Sequence, residues 1–395
     1  MERKNKKGLI ALAFGTLGLG ITEFVLMGIL PYVAKDLHIG IATAGHLISA
    51  YALGVCMGAP LLVVVRRQPL KRLLLLLVSL SAIGSIGSVI APTFRMMLAC
   101  RFISGLPHGA YFGVASIVAE KLAKDGKSAN AVSIMISGMT FANLFGVPFG
   151  TALSVNLSWR ATFIFAALWN MITIFYIWKW VPQVEGVKDA GLKGQFRFLK
   201  SPAPWLLLFA TMLGNGGIFS WYSYINPLLT EVASFKNNSI STLMVFAGAG
   251  MVLGNLAGGR LADHFTPGRT AAFMQGLSTM ILMLIFFLFS YSSLAVVLMI
   301  ACTFCLFAVS SPLQLLIIRY SRGGELLGAA CIQIAFNLGN AIGAYTGGIP
   351  VNEGYGFEYP ALVGAPMALS GFTLLIMFVR EYERKGLRYC KWLPK

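Results

Sequence analysis

Three ionisable side chains, Glu23, Arg101 and His108, lie in stretches where almost nothing else carries charge, and they are the residues of this chain best placed to do chemistry. A charge at the centre of an apolar helix in a bilayer costs about 2.5–3.5 kcal/mol on insertion scales, so such groups are rare and mark ion and proton pathways. Glu23 shares a helical stripe with Thr16, Gly20 and Met27, and a carboxylate there can take up a proton and return it as its surroundings change. Arg101, Gly105, His108 and Phe112 share one face at intervals of 4, 3 and 4, with Pro107 beside the histidine. Histidine titrates near physiological pH, which makes His108 a second candidate proton carrier, and Arg101 supplies a permanent positive charge. The alternatives are a structural carboxylate at Glu23, snorkelling of Arg101 to the outer headgroups, and a hydrogen-bonded core role for His108.

A second set could bind a ligand. Asn215, Phe219, Tyr222 and Asn226 form a stripe flanked by Gly216-Gly217 and Pro227, and amides recur at Gln314, Gln333 and Asn337. With Met27 and Phe112 they are the expected cavity lining, since amides beside aromatic faces suit a small amphipathic solute. An ordinary helix contact with an interfacial aromatic belt would use the same residues. Nucleophile, base or metal constellations are not among the motifs. The four histidines, His38, His46, His108 and His264, are dispersed, and Cys302-Thr303-Phe304-Cys305 has redox spacing inside an uncharged helical stretch without a βαβ setting. The expectation is no enzyme activity, no cofactor and no metal, with the cysteines serving as small apolar packers.

The elements that must hold these residues are membrane spans. Between Thr270 and Ile318 the chain runs 49 residues without Asp, Glu, Lys or Arg. A bilayer core takes roughly 20 residues, so this stretch holds two spans that turn at Ser290-Tyr291-Ser292-Ser293. Comparable segments near 8–34, 43–65, 73–93, 97–119, 129–153, 160–180, 203–229, 239–261, 270–290, 294–318, 326–348 and 361–379 bring the number to twelve. Helices of that length satisfy their own backbone in lipid, so the fold class expected is an all-α polytopic membrane protein. The basic start leads straight into the first span, which is too long for a signal h-region and is expected to stay as an anchor.

The net charge of +17 is placed asymmetrically: 26 of the 31 Lys and Arg fall at the N-terminus, the even-numbered loops and the C-terminal tail. Only Lys35, Arg95, Arg160 and Lys236 lie on the other side, so both termini are expected in the cytoplasm. The basic face is suited to membrane lipids, and with no groove-reading domain nucleic acid is not an expected partner.

The chain also repeats itself. Pro31, Gly54 and Gly58 recur as Pro227, Gly250 and Gly254 at an offset of 196, and Asn143, Gly146 and Gly150 recur as Asn340, Gly343 and Gly347 at 197. Small residues four apart allow helices to approach closely. The expected organisation is a six-helix bundle at 1–181, a cytoplasmic linker at 182–202, and a second bundle with a basic tail at 203–395. Parallel repeats of this kind rock about a midplane site.

Short motifs then resemble one family. Gly259-Arg260-Leu261-Ala262-Asp263, followed by Gly268-Arg269, resembles the cytoplasmic gating motif of the major facilitator superfamily. Arg101-x-x-x-Gly105-x-x-x-Gly109 resembles its span-four motif, and Gly146-x-Pro148-x-Gly150 its antiporter motif. The run Leu106 to Gly113 looks like the arabinose-efflux-permease-like branch of the twelve-helix drug:proton antiporters. The resemblance implies gating roles for Asp263, Arg260, Arg269, Gly146, Pro148 and Gly150, and proton transfer at the motif that Arg101 opens, which joins the proton-coupling roles expected of Glu23 and His108 from their own placement. The first-half gating loop departs from the pattern: it keeps Gly58, Arg66, Arg67, Lys71 and Arg72 without an Asp between them. The function expected is a proton-coupled exporter of small organic molecules, monomeric, in the inner membrane. An importer, a lipid or lysolipid translocator and a transporter-like sensor are the rivals.

Overall fold

A computed structural model describes residues 3–39, 41–65, 67–184 and 194–383. The side chain of Met27 and residues 185–193 of the linker expected at 182–202 lie outside the described residues, as does the tail beyond 383. The described secondary structure is helical. In chain order the elements are α1 Arg3–Asp36, α2 Ile41–Val65, α3 Leu70–Ile90, α4 Phe94–Leu122, α5 Ser128–Phe141, α6 Val147–Asn156 and α7 Trp159–Trp180. There follow α8 Pro202–Tyr222, α9 Asn237–His264, α10 Pro267–Leu288, α11 Ser292–Ala308, α12 Ser310–Tyr320, α13 Glu325–Asn352 and α14 Tyr359–Phe378. Eleven spans among the described residues are long and apolar enough to cross a bilayer. The 25-residue α2 supplies the remaining one of the expected twelve.

The helices begin and break where side-chain chemistry requires. Thr93, Ser158 and Thr266 cap the starts of α4, α7 and α10 by accepting from backbone N–H groups two or three residues on. Three prolines set breaks, because a proline removes the hydrogen bond to the carbonyl four residues earlier and crowds it. Pro148 lies four residues beyond Leu144, in the π turn Ala142–Gly146 that separates α5 from α6. Pro312 lies four beyond Ala308, where α11 stops. Pro227 lies four beyond Ser223, the residue that follows the last of α8. Pro107 is expected to weaken α4, yet that helix runs unbroken through it.

The chain forms two compact units, Met1–Arg197 with Ser321–Ile334, and Phe198–Tyr320 with Ala335–Lys395. In the first, α2 and α3 pack on α4 while α5 and α7 pack on α1. The repeated glycines are the contact points. A Cβ at Gly54 would fall 3.0 Å from Gly105 Cα, and one at Gly58 would fall inside the backbone of Leu106. Gly146 and Gly150 lie against Ile21 and Val25 of α1. The second unit repeats this arrangement. Gly250 and Gly254 close on Ile300 and Phe304 of α11, and Gly343 and Gly347 close on Gly216 and Ser220 of α8. The sequence repeat is thus a repeat of two helix seams, span two on span four and span five on span one. Without an apolar driving force between helices in lipid, such close contact supplies dispersion energy and backbone proximity instead.

At one end of the first unit, Arg160 binds Asp36 at 2.5 Å and reaches the carbonyls of Val89 and Ala91 at 3.2 and 3.3 Å. The Arg160 hydrogen bond holds the Asp36 carboxyl below its ordinary range. A lowered folded value adds stability that is present above the unfolded value, about 3.9, and is lost as pH falls through the folded one. Both side chains are at least one third exposed, so the pair contributes less than about 1 kcal/mol. Asp36→Asn should therefore lower the thermal midpoint slightly at pH 7, and the two melting curves should converge as pH is taken below about 4. A difference that persists in acid would assign the effect to the hydrogen bond that Trp159 Nε1 donates to Asp36 at 3.2 Å rather than to charge.

Candidate functional site

α1, α2 and α4 bring Glu23, Tyr51, Arg101 and His108 into one cluster. Glu23 Oε2 lies 3.7 Å from His108 Nδ1, and the two side chains are 12% and 1% exposed. The Tyr51 hydroxyl sits 2.9 Å from the same Nδ1. Phe112, one turn along α4, stacks on the imidazole with centroids 5.1 Å apart. Arg101 is fully buried, which removes snorkelling from its description. Its Nη1 donates to the carbonyl of Thr22 at 2.6 Å and its Nε to that of Leu47 at 3.4 Å. The guanidinium also lies over the Tyr51 ring, 4.6 Å from the centroid. Glu23 Oε2 and Arg101 Nη2 are buried without a hydrogen-bond partner. Carboxylate and guanidinium therefore share the site without a direct bond between them, each keeping one polar atom available.

The geometry follows from the helices' small residues. Gly105 meets the backbone of Tyr51, so α2 and α4 touch one turn from where the Tyr51 phenol reaches His108. Thr16 and Gly20, on the Glu23 stripe, serve another contact: Thr16 Oγ1 donates to the Met135 carbonyl at 2.6 Å, and a Cβ at Gly20 would fall 2.7 Å from that of Ala142. They fix α1 on α5 and so aim Glu23 toward α4. Gln333 approaches Gly109, whose Cβ would lie 3.5 Å from that of Gln333.

The other expected cavity residues are in the second unit. Asn215 is buried and donates to the carbonyl of Phe336 at 3.1 Å and to the Asn340 side chain, joining α8 to α13. Gln314 is fully buried, Asn337 and Tyr222 are partly buried, and Asn226 is exposed. Tyr222 packs edge-on to Phe219 at 5.6 Å. Of the gating set, Arg260 is exposed about one turn before the end of α9, Asp263 stands in its last turn, and Arg269 is exposed in the first turn of α10. Glu383 also holds that junction and is absent from the expected set. Its carboxylate accepts from Gly268 N at 2.7 Å and from Thr266 Oγ1 at 2.8 Å, neutralising the N-terminal donors of α10. Tyr51 is the other omission. A phenol in the middle of an apolar span must find a partner for its hydroxyl, and that need was its one signal.

Paired seams of apolar spans around a buried carboxylate describe a multi-pass helical membrane protein. The chain belongs to the Major Facilitator Superfamily, whose family model matches residues 12–330. It is 42% identical over 381 residues to AraJ of Escherichia coli (strain K12), covering 96% of each chain. It is 35% identical to the inner membrane transport protein YdhP of the same organism, over 94% of this chain and 95% of that one. A chloramphenicol resistance protein of Streptomyces lividans is 32% identical over 65% of this chain and 67% of that one. Among solved structures, an E. coli fucose:proton symporter aligns with a TM-score of 0.74 at 13% identity, over 95% of this chain and 99% of that one, a likeness of fold. The localisation is that of a multi-pass inner membrane protein.

Proposed function

We propose that the chain is a proton-coupled exporter of small organic molecules, working by alternating access, with Glu23 as the residue that holds the coupling proton. The observation that carries this reading is a carboxylate oxygen buried within the helical bundle, without a hydrogen-bond partner and 3.7 Å from a histidine nitrogen. A group in that state changes charge with each proton, and a change of charge in an apolar site is what can bias two conformations of a transporter. Export is favoured over import by the relative named for chloramphenicol resistance, whose similarity spans two thirds of this chain. Within the first unit Met27, Phe112 and Gln333, and within the second Asn215, Tyr222, Asn226, Gln314 and Asn337, are the residues proposed to contact the solute. Arg260, Asp263 and Arg269 form the proposed cytoplasmic gate, with Gly146, Pro148 and Gly150 allowing span five to flex. Both termini are placed in the cytoplasm on the basic asymmetry of the loops, and the two bundles are taken to divide at 182–202.

The test is a proteoliposome assay with the purified full chain and a panel of sugars, antibiotics, nucleosides and lysolipids, read by a pH dye inside and outside the vesicles. Export by antiport predicts that one class of solute drives proton movement opposite to its own. Co-directional movement would make the chain an importer, and solute movement without protons would remove the coupling role.

A further inference from the structure

Resting on the assignment of Glu23 as proton carrier, we propose that Tyr51 is a positioning residue that decides where the coupling proton resides, by holding His108 as a neutral hydrogen-bond acceptor. His108 Nδ1 has two neighbours competing for it. The Tyr51 hydroxyl, at 2.9 Å, is within hydrogen-bond distance, and the Glu23 carboxylate, at 3.7 Å, is just beyond it. A phenol offers its proton to an unprotonated ring nitrogen, whereas a protonated nitrogen has nothing to accept with and turns to the carboxylate. Two states compete for one proton taken from water. In one, the proton forms an O–H bond on Glu23 and His108 stays neutral under the Tyr51 hydrogen bond. In the other, it forms an N–H bond at Nδ1, the Tyr51 hydroxyl can no longer donate there, and His108 pairs with an ionised Glu23.

The surroundings favour the first state. Arg101, two turns before His108 on α4, is fully buried and adds a fixed positive charge that opposes a second cation. Phe112 covers the imidazole face, and Tyr111 on the same helix is engaged with the carbonyl of Leu12. From α1 and α2 the titratable groups facing His108 are Glu23 and Tyr51. The Tyr51 hydroxyl has a second acceptor at the carbonyl of Leu19, 3.5 Å away, to which it can turn when Nδ1 is protonated.

Tyr51→Phe removes the hydroxyl and retains the ring over Arg101, so packing and the cation–π contact are kept. The readout is the infrared carbonyl stretch of the protonated carboxyl, titrated in the purified full-length protein, with Glu23→Gln identifying the band. In Tyr51→Phe the proton gains access to His108, and the Glu23 band should appear only at lower pH, its midpoint down by about half a unit to one unit for one lost hydrogen bond. In Tyr51→Phe/His108→Asn the midpoint should return, because Asn takes no proton. A purely structural role for Tyr51 would not be reversed at His108. An unmoved or raised midpoint in Tyr51→Phe, or a lowered one that persists in the double variant, overturns the proposal. If Glu23→Gln removes no titrating band, the assignment of Glu23 is overturned instead.

Discussion

Glu23→Gln should abolish solute accumulation driven by a pH gradient while leaving a folded, membrane-inserted protein. Glutamine keeps the length and hydrogen-bonding capacity of the side chain and removes its titration. The packing of α1 is carried by other residues, with Thr16 pinned to Met135 and Gly20 set against Ala142. A pH difference of one unit is worth about 1.4 kcal/mol per proton, enough for roughly a tenfold solute gradient with one proton exchanged per solute. The variant should reach a ratio of one at any imposed gradient, while exchange of labelled for unlabelled solute persists. Accumulation at the native level would eliminate Glu23 and leave His108 as the residue to replace next.

Gly105→Ala should be far more damaging than Gly109→Ala, although the two lie one turn apart on α4. A Cβ at Gly105 would press into the backbone of Tyr51 and fall 3.1 Å from Gly54 Cα, and neither backbone can rotate away. Overpacking of a tight core costs typically about 1–3 kcal/mol, more where backbone must separate. At Gly109 the nearest atoms are side-chain carbons of Gln333 and Val55 at 3.5 Å, an ordinary contact, and alanine gains up to about 1 kcal/mol of helix propensity. Gel filtration and thermal aggregation should show Gly105→Ala largely misassembled and Gly109→Ala close to native. Equal behaviour would mean the seam between α2 and α4 tolerates separation. Gly105→Ala should also abolish the Tyr51 effect on the infrared titration, since the phenol reaches His108 only from that seam.

Much of this was legible in the residues because membranes make polarity conspicuous. Glu23, Arg101 and His108 stand out in apolar stretches, and the structure brings the three within one cluster. The small-residue repeat exposed the seams, because only glycine survives where backbones meet. What could not be read was the partner across each seam. Arg101 is bound by the carbonyls of Thr22 and Leu47, and every residue has a carbonyl, so no side-chain pattern announces it. Asn215 and Asn340 were each visible, one as a possible ligand contact and one as part of a repeat, yet their bond to each other depends on how α8 and α13 are rotated. Glu383 was hidden in a basic tail, where its role at the start of α10 arises from chain folding over 115 residues.

The clasp on Arg101 has one more consequence. Backbone carbonyls do not ionise, so the two bonds that hold this cation carry no titration of their own. Arg101 acts as a frame of reference, a fixed positive charge against which any change of charge at Glu23 or His108 would be weighed. For an engineer this separates two jobs that many binding sites confound. The side chains that respond to pH can be exchanged one by one, while the part that sets the site's resting polarity is written into main chain and survives the exchange.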